Sequence, residues 1–170
     1  FNLPTTSLKS LIKSKNKMFR LDDTDELKKF NNSHLADSIR GLDKQVEQVF
    51  EDLESFEYSE KYNGIKKIVV CGMGGSGLGM RVFQSVFSEQ VKISMELVNG
   101  YVLPNYVDSE TLVMLCSYSG SSEEVLSCLM DAQKRNAVIS YFCAGGELAD
   151  RASNIGLEGY VFDPKNNPSN

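Results

Sequence analysis

From Ser33 onward Leu35, Ile39, Leu42, Val46, Val49 and Leu53 fall three or four residues apart, with Phe50 beside Val49 and charged residues between them. This spacing predicts an amphipathic helix of about six turns whose apolar stripe needs a surface to pack against. After the Tyr62-Asn63-Gly64 break the pattern changes to short apolar runs separated by helix-like stretches. Residues 65–71, 91–97, 111–116 and 137–143 read as strands, and residues 78–87 and 122–134 as helices between them. Short β-rich runs joined by helices imply right-handed βαβ units. The expected class is therefore α/β, a doubly wound parallel sheet of about five strands flanked by helices, with an amino-terminal amphipathic helix. Residues 163–170 (DPKNNPSN) have loop composition.

Three regions follow: an extension over residues 1–20 expected to lack fixed structure, a helical segment over 21–64 that packs on the domain, and the α/β domain over 65–170. The extension carries Lys9, Lys13, Lys15, Lys17 and Arg20 without an acid, so the net charge of −5 leaves about −10 on the remaining residues. An acidic body makes nucleic acid an unfavourable partner. Apolar residues make up 41%, and no run reaches the length of a membrane span, so the reading is a soluble protein. Cys71, Cys116, Cys128 and Cys143 form no C-x-x-C pair and have no histidine at ligand spacing, which indicates buried free thiols and no metal site. Together with the lack of a secretory signal, this gives a cytoplasmic location.

Candidate chemistry lies at two strand ends. Residues 72–79 (GMGGSGLG) hold five glycines around Ser76, and residues 117–124 (SYSGSSEE) hold four serines. Glycine lets a ligand approach main-chain N–H groups, and in open parallel sheets ligands sit beyond the carboxyl ends of the strands. Gly72, Gly74 and Gly77 also fit the dinucleotide fingerprint, with Glu96 placed for a ribose hydroxyl. That oxidoreductase reading leaves Ser117, Ser119, Ser121 and Ser122 without work. A phosphate monoester has three strong acceptor oxygens, which hydroxyls and helix N–H groups satisfy without Lys or Arg. Neither loop contains a base, which argues against a P-loop nucleotidase.

Residues 72–79, 101–104 (YVLP) and 117–124 resemble, in order and spacing, the amino-terminal sugar isomerase (SIS) domain of bifunctional phosphoglucose/phosphomannose isomerases, from about Leu42 to Asn170. The resemblance implies an aldose-ketose isomerase acting on glucose 6-phosphate and mannose 6-phosphate without metal or nucleotide cofactor. It implies two such domains per chain and a homodimer. Gly74, Gly75 and Ser76 match the family's first substrate loop, Ser117 and Ser119 its phosphate-binding serines, and Ser122 stands where a threonine is usual. The family's arginine, glutamate, histidine and lysine match no position before Asn170. The expectation is thus a phosphorylated-hexose site with no catalytic residue of its own, binding without turnover. A regulatory sugar-phosphate sensor is the alternative in another class. His34 is expected to cap or sit at the surface, Arg81 to be an exposed helix residue, and Glu123 and Glu124 to complement a helix dipole. Asp43 receives no role.

Overall fold

A computed structural model describes residues 24–29 and 34–167 of the chain. The extension expected over residues 1–20 lies outside the described residues. Among the described residues three helices come first: α1 (Thr24–Lys28), α2 (Leu35–Arg40) and α3 (Leu42–Leu53). They are followed by β1 (Lys67–Gly72), α4 (Gly75–Phe87), β2 (Ser94–Val98), β3 (Thr111–Cys116), α5 (Glu123–Lys134), β4 (Val138–Cys143), α6 (Gly146–Asn154) and β5 (Glu158–Val161). The five strands form one sheet in the order β2-β1-β3-β4-β5, parallel throughout. The chain moves outward from β1 to β2, returns past it, and then advances from β3 to β5. Right-handed crossovers in opposite directions put α4 on one face and α5 and α6 on the other. The topological switch falls between β1 and β3, the place where doubly wound sheets receive ligands.

Side-chain alternation sorts the sheet into unequal faces. Val69, Cys71, Val113, Leu115, Ile139, Tyr141 and Cys143 point toward α5 and α6, where Val125, Cys128, Leu129, Ala132, Leu148 and Ala152 close the main core. Contact with the Cys128 thiol, together with burial, pushes the Cys71 thiol up; burial alone pushes Cys143 up. The connection before β3 adds Leu103 and Val107 to this core. It is fixed by Arg135, which donates to Pro104 O at 2.7 Å and Leu103 O at 3.2 Å, while its guanidinium forms two 2.9 Å bonds with the Asp131 carboxylate. Asp131 Oδ2 also accepts from the Leu103 N–H at 3.1 Å. The YVLP stretch is thus clamped to α5 by main-chain contacts.

The opposite face is covered by α4 over β1 and β2, and by α3 and the segment after it over β4 and β5. Tyr58 and Tyr62 reach the sheet through Ser140 Oγ (2.9 Å) and Ile139 O (3.0 Å). Here the amino-terminal expectation needs correcting in two respects. The long helix is two helices, broken at Gly41, whose backbone (φ −92°, ψ 13°) leaves the helical region. The apolar stripe also faces outward: Leu35, Ile39, Leu42, Val46 and Phe50 are all more than half exposed. The face turned to the domain instead carries Gln48, which is buried, donates to Asp163 O at 2.8 Å and accepts from Asn166 Nδ2 at 2.9 Å. Residues 164–166, within the stretch read as loop, form a 3-10 turn started by Pro164 and capped by Asp163.

Glu158 ties this covering segment to the edge strand. It accepts from Ser59 N and Ser59 Oγ at 3.0 and 2.7 Å and pairs with Lys61 at 2.8 Å. Lys61 and the Ser59 donors hold its carboxyl at about 2, against an ordinary 4.5. A depressed carboxyl stabilises the fold above its unfolded value and loses that contribution as pH falls. The thermal midpoint is therefore expected to drop between about pH 4.5 and pH 2, and to drop less steeply in Glu158→Gln. Some slope remains in the variant because Lys67 and Arg135 likewise hold Asp108 and Asp131 low. Equal slopes in the two proteins would refute this role for Glu158.

Candidate functional site

The candidate site starts from strand register. Gly72, the last residue of β1, pairs with Cys116, the last residue of β3, so the glycine loop and the serine loop leave the sheet at the same height. They start α4 and α5 on opposite faces of the switch point. Each helix begins with no side-chain cap: Gly74 precedes α4 and Ser122 precedes α5. At α4 the Ser76 and Gly77 N–H groups are used by Met73 O and Gly74 O, and the positive ends of both helix dipoles lie at the switch point.

The glycine loop turns tightly at its ends and stays open in its middle. A Cβ on Gly77 would lie 2.9 Å from Gly72 O, so strand and helix approach through bare backbone. Gly74 takes a positive φ of 52°, and neither it nor Gly75 would have an atom within 4 Å of a Cβ. Space is thus kept clear above the first turn of α4. Asn99, just after β2, locks this turn: with its amide oriented to satisfy both neighbours, it donates to Gly72 O at 2.7 Å and accepts from Arg81 Nη2 at 3.2 Å. Arg81 is exposed, and one of its nitrogens is held at the loop by Asn99.

The serine loop is braced against a third segment. Ala144 N–H donates to Tyr118 O (2.9 Å), Leu148 N–H to Gly120 O (2.8 Å) and Ser117 N–H to Phe142 O (3.1 Å). Gly120 (φ 69°) and Gly146 (φ 70°) sit back to back: a Cβ on Gly120 would lie 1.8 Å from Gly145 O, and one on Gly146 2.3 Å from Ser119 O. Only glycines allow this contact. Its sequence signal was the Gly145-Gly146 pair after β4, which the sequence reading passed over. Asn99 was missed as well, although an Asn-Gly pair follows the second apolar run.

The hydroxyls gather across the two loops. Ser76 Oγ accepts from Tyr118 N–H at 3.2 Å, and Ser117 and Ser122 share a hydroxyl–hydroxyl bond at 3.0 Å. Ser117 is buried, Ser122 half-buried and Ser119 exposed, with Ser119 Oγ accepting from Ser121 N–H at 3.3 Å. Directly beneath, burial pushes the Cys116 thiol up to about 11, so no thiolate opposes an anion at neutral pH. Ser76, Ser117 and Ser122 are therefore brought together across the two loops, with Ser119 exposed on the serine loop and Gly74 and Gly75 facing open space. Glu123 and Glu124 lie in the first turn of α5. Glu96 is not part of the crevice. It pairs with Val69, three residues or about 10 Å before Gly72, and accepts a hydrogen bond from the Tyr106 hydroxyl. His34 precedes α2 and pairs with Asp37 at 3.3 Å. Among the described residues no group of His, Cys, Asp and Glu could hold a metal ion, and no helix is long and apolar enough to cross a membrane.

The chain resembles curated proteins named bifunctional phosphoglucose/phosphomannose isomerase. That of Caldicellulosiruptor bescii is 35% identical over 124 residues, covering 73% of this chain and 37% of the relative. That of Thermoplasma volcanium is 37% identical over 98 residues, 58% of this chain and 31% of the relative. The Aquifex aeolicus protein is 35% identical over 119 residues, 69% and 37% respectively. The chain thus spans about a third of the length of the curated relatives it matches. Among solved structures, tagatose-6-phosphate ketose/aldose isomerase from Escherichia coli superposes with TM-score 0.54 at 14% identity, over 84% of this chain and 41% of that one. The Vibrio vulnificus NanR protein complexed with ManNAc-6P superposes with TM-score 0.55 at 16% identity, over 71% and 48%. These two show that the fold is shared. No protein-family model matches the chain.

The glycine contacts divide the loops into structural and open positions. Gly120→Ala is expected to cost at least about 2 kcal/mol, from the left-handed backbone and the collision with Gly145. Gly75→Ala, facing open space at a helix start, is expected to leave stability within about 0.5 kcal/mol. Denaturant midpoints of the two variants check this; an unchanged midpoint for Gly120→Ala would remove the bracing argument.

Proposed function

The chain is a homologue of the bifunctional phosphoglucose/phosphomannose isomerases, and from that premise we propose that it is the sugar-phosphate-binding part of an aldose-ketose isomerase interconverting glucose 6-phosphate or mannose 6-phosphate with fructose 6-phosphate. The observation that carries the reading is the meeting of two uncapped helix starts and four serines at the β1/β3 switch point. The phosphate lies between the loops, held by N–H groups of the two helix starts and by the Ser76, Ser119 and Ser122 hydroxyls, with Ser117 fixing Ser122 from beneath. Gly74 and Gly75 leave room for the sugar. In this reading residues 65–170 form the binding domain and residues 21–64 the segment that packs on it. A second domain of the same kind and a homodimer complete the cytoplasmic enzyme, which needs no metal or nucleotide.

Isomerisation moves a proton between C1 and C2 and requires a positioned base and a group that opens the ring. The crevice's side chains are hydroxyls, and Glu123 and Glu124 are dipole partners in the first turn of a helix. This chain alone therefore binds substrate and does not turn it over. A regulatory reading, with the same crevice sensing a sugar phosphate, is favoured by one observation: the fold recurs in NanR, solved with ManNAc-6P. The dinucleotide reading loses support from Glu96, which lies below the loop and is engaged by Tyr106.

Thermal-shift titrations with glucose 6-phosphate, inorganic phosphate and NAD at equal ionic strength test the proposal. A ligand present at a hundred times its dissociation constant stabilises by about 2.7 kcal/mol. Glucose 6-phosphate is expected to exceed inorganic phosphate, and Ser119→Ala to weaken its binding about tenfold or more, the loss of a hydrogen bond to a charged group. Stabilisation by NAD alone, lost in Glu96→Ala, would reverse the assignment. Fructose 6-phosphate formed by the purified chain would overturn the claim of binding without turnover.

A further inference from the structure

A cavity of about 380 Å³ lies between α3 and the carboxyl ends of β4 and β5, on the sheet face opposite α5 and α6. It is separate from the anion crevice. Tyr118 divides them: its backbone belongs to the serine loop, while its ring lines the cavity with Phe142, Tyr160 and Phe162. The Tyr118 and Phe162 rings meet edge-on at 5.3 Å, and those of Tyr160 and Phe162 lie 5.9 Å apart at 37°. Val49 and Gln45 of α3 form the facing wall.

The polar groups here are few and mostly committed. Gln48 is used at both ends, and the Tyr160 hydroxyl donates to Asp52 at 2.6 Å. Groups that keep capacity among the described residues include Tyr118 and Gln45, on facing walls. The Tyr118 hydroxyl accepts from Asn167 Nδ2 at 2.9 Å and retains its own proton, and Gln45 donates to Ser38 O at 3.0 Å and retains its carbonyl oxygen. Among the described residues no Lys or Arg lines the cavity, and Asp163 is the one charged residue in its lining.

These features select a ligand class. The volume falls in the range of small-molecule sites, roughly 300–1,000 Å³, and aromatic walls favour a planar ring. The Asp163 carboxylate disfavours an anion, which separates this cavity from the phosphate crevice. A hydrocarbon would leave the Tyr118 proton and the Gln45 carbonyl without partners, at a cost in affinity. We infer that the cavity binds a neutral, planar nitrogen heterocycle of purine size, which accepts from the Tyr118 hydroxyl and donates to the Gln45 carbonyl.

The probe is 2-aminopurine, whose fluorescence is quenched by stacking on aromatic rings; the chain has no tryptophan to interfere. Titration of the full chain is expected to show saturable quenching, displaced by adenine and not by glucose 6-phosphate. Val49→Phe, which fills the cavity from a half-exposed wall position, is expected to abolish it. Tyr118→Phe, which keeps the ring and removes the hydroxyl, is expected to weaken it about tenfold, and serves as the readout should Val49→Phe fold poorly. Absence of saturable quenching, indifference to both variants, or displacement by glucose 6-phosphate would overturn the inference. Loss of quenching in a longer protein that extends beyond Asn170 would also overturn it, since polypeptide would then be the occupant.

Discussion

The parallel pairing of β1 with β3 is the constraint from which the rest of the site follows. Because Gly72 stands opposite Cys116, two loops of unrelated composition leave the sheet at one level, and two helix starts converge on one crevice. A shift of one residue would turn every side chain of one strand to the wrong face, exposing Val113 and Leu115, both fully buried. The main core therefore holds the register, and the register holds the site. The Ser76–Tyr118 bond, which links the two loops directly, forms only because of that common height.

How far these features were legible in the sequence depended on which face each residue occupies. Residues 111–116 alternate between a dense core and a second covered face, and their apolar run coincides with the strand observed. The first strand begins two residues later than its apolar run, with Lys66 N–H already bonded to Glu110 O ahead of the ladder. Helix α6 and strand β5 were not read at all. Within GELADRASN only Leu148 and Ala152 are buried, and EGYV carries an acid and a glycine, so neither has a periodic apolar signal. The amino-terminal stripe was the opposite case. Its period was right, but a buried glutamine, held by Asp163 O and Asn166, decided which side of α3 faces the domain.

The two loops were found through composition, and composition reports the ends of the argument better than its supports. Glycines at 72 and 77 are needed for close approach, whereas 74 and 75 leave space empty; a string of glycine letters does not distinguish the two kinds. Likewise Gly145 and Gly146 act on the serine loop from a distant segment, and only the fold brings them there.

The electrostatics of the crevice explain why it can be built from neutral residues in a chain of net charge −5. A site relying on surface lysines would be screened at physiological salt. N–H groups at the starts of α4 and α5 carry partial positive charge in fixed directions, and the half-buried Cys116 thiol at the end of β3 stays neutral. Such donors discriminate by geometry: they satisfy a compact oxyanion placed between both loops and offer little to an extended one. Their field also falls off within the first turn of each helix. In the proposed function, a phosphate held this way would be anchored at one end only, and the sugar's reactive carbons would be met by groups from outside the crevice. That proposal would assign binding and chemistry to different parts of the protein, the division expected when a rigid anion cradle is combined with a separately supplied base.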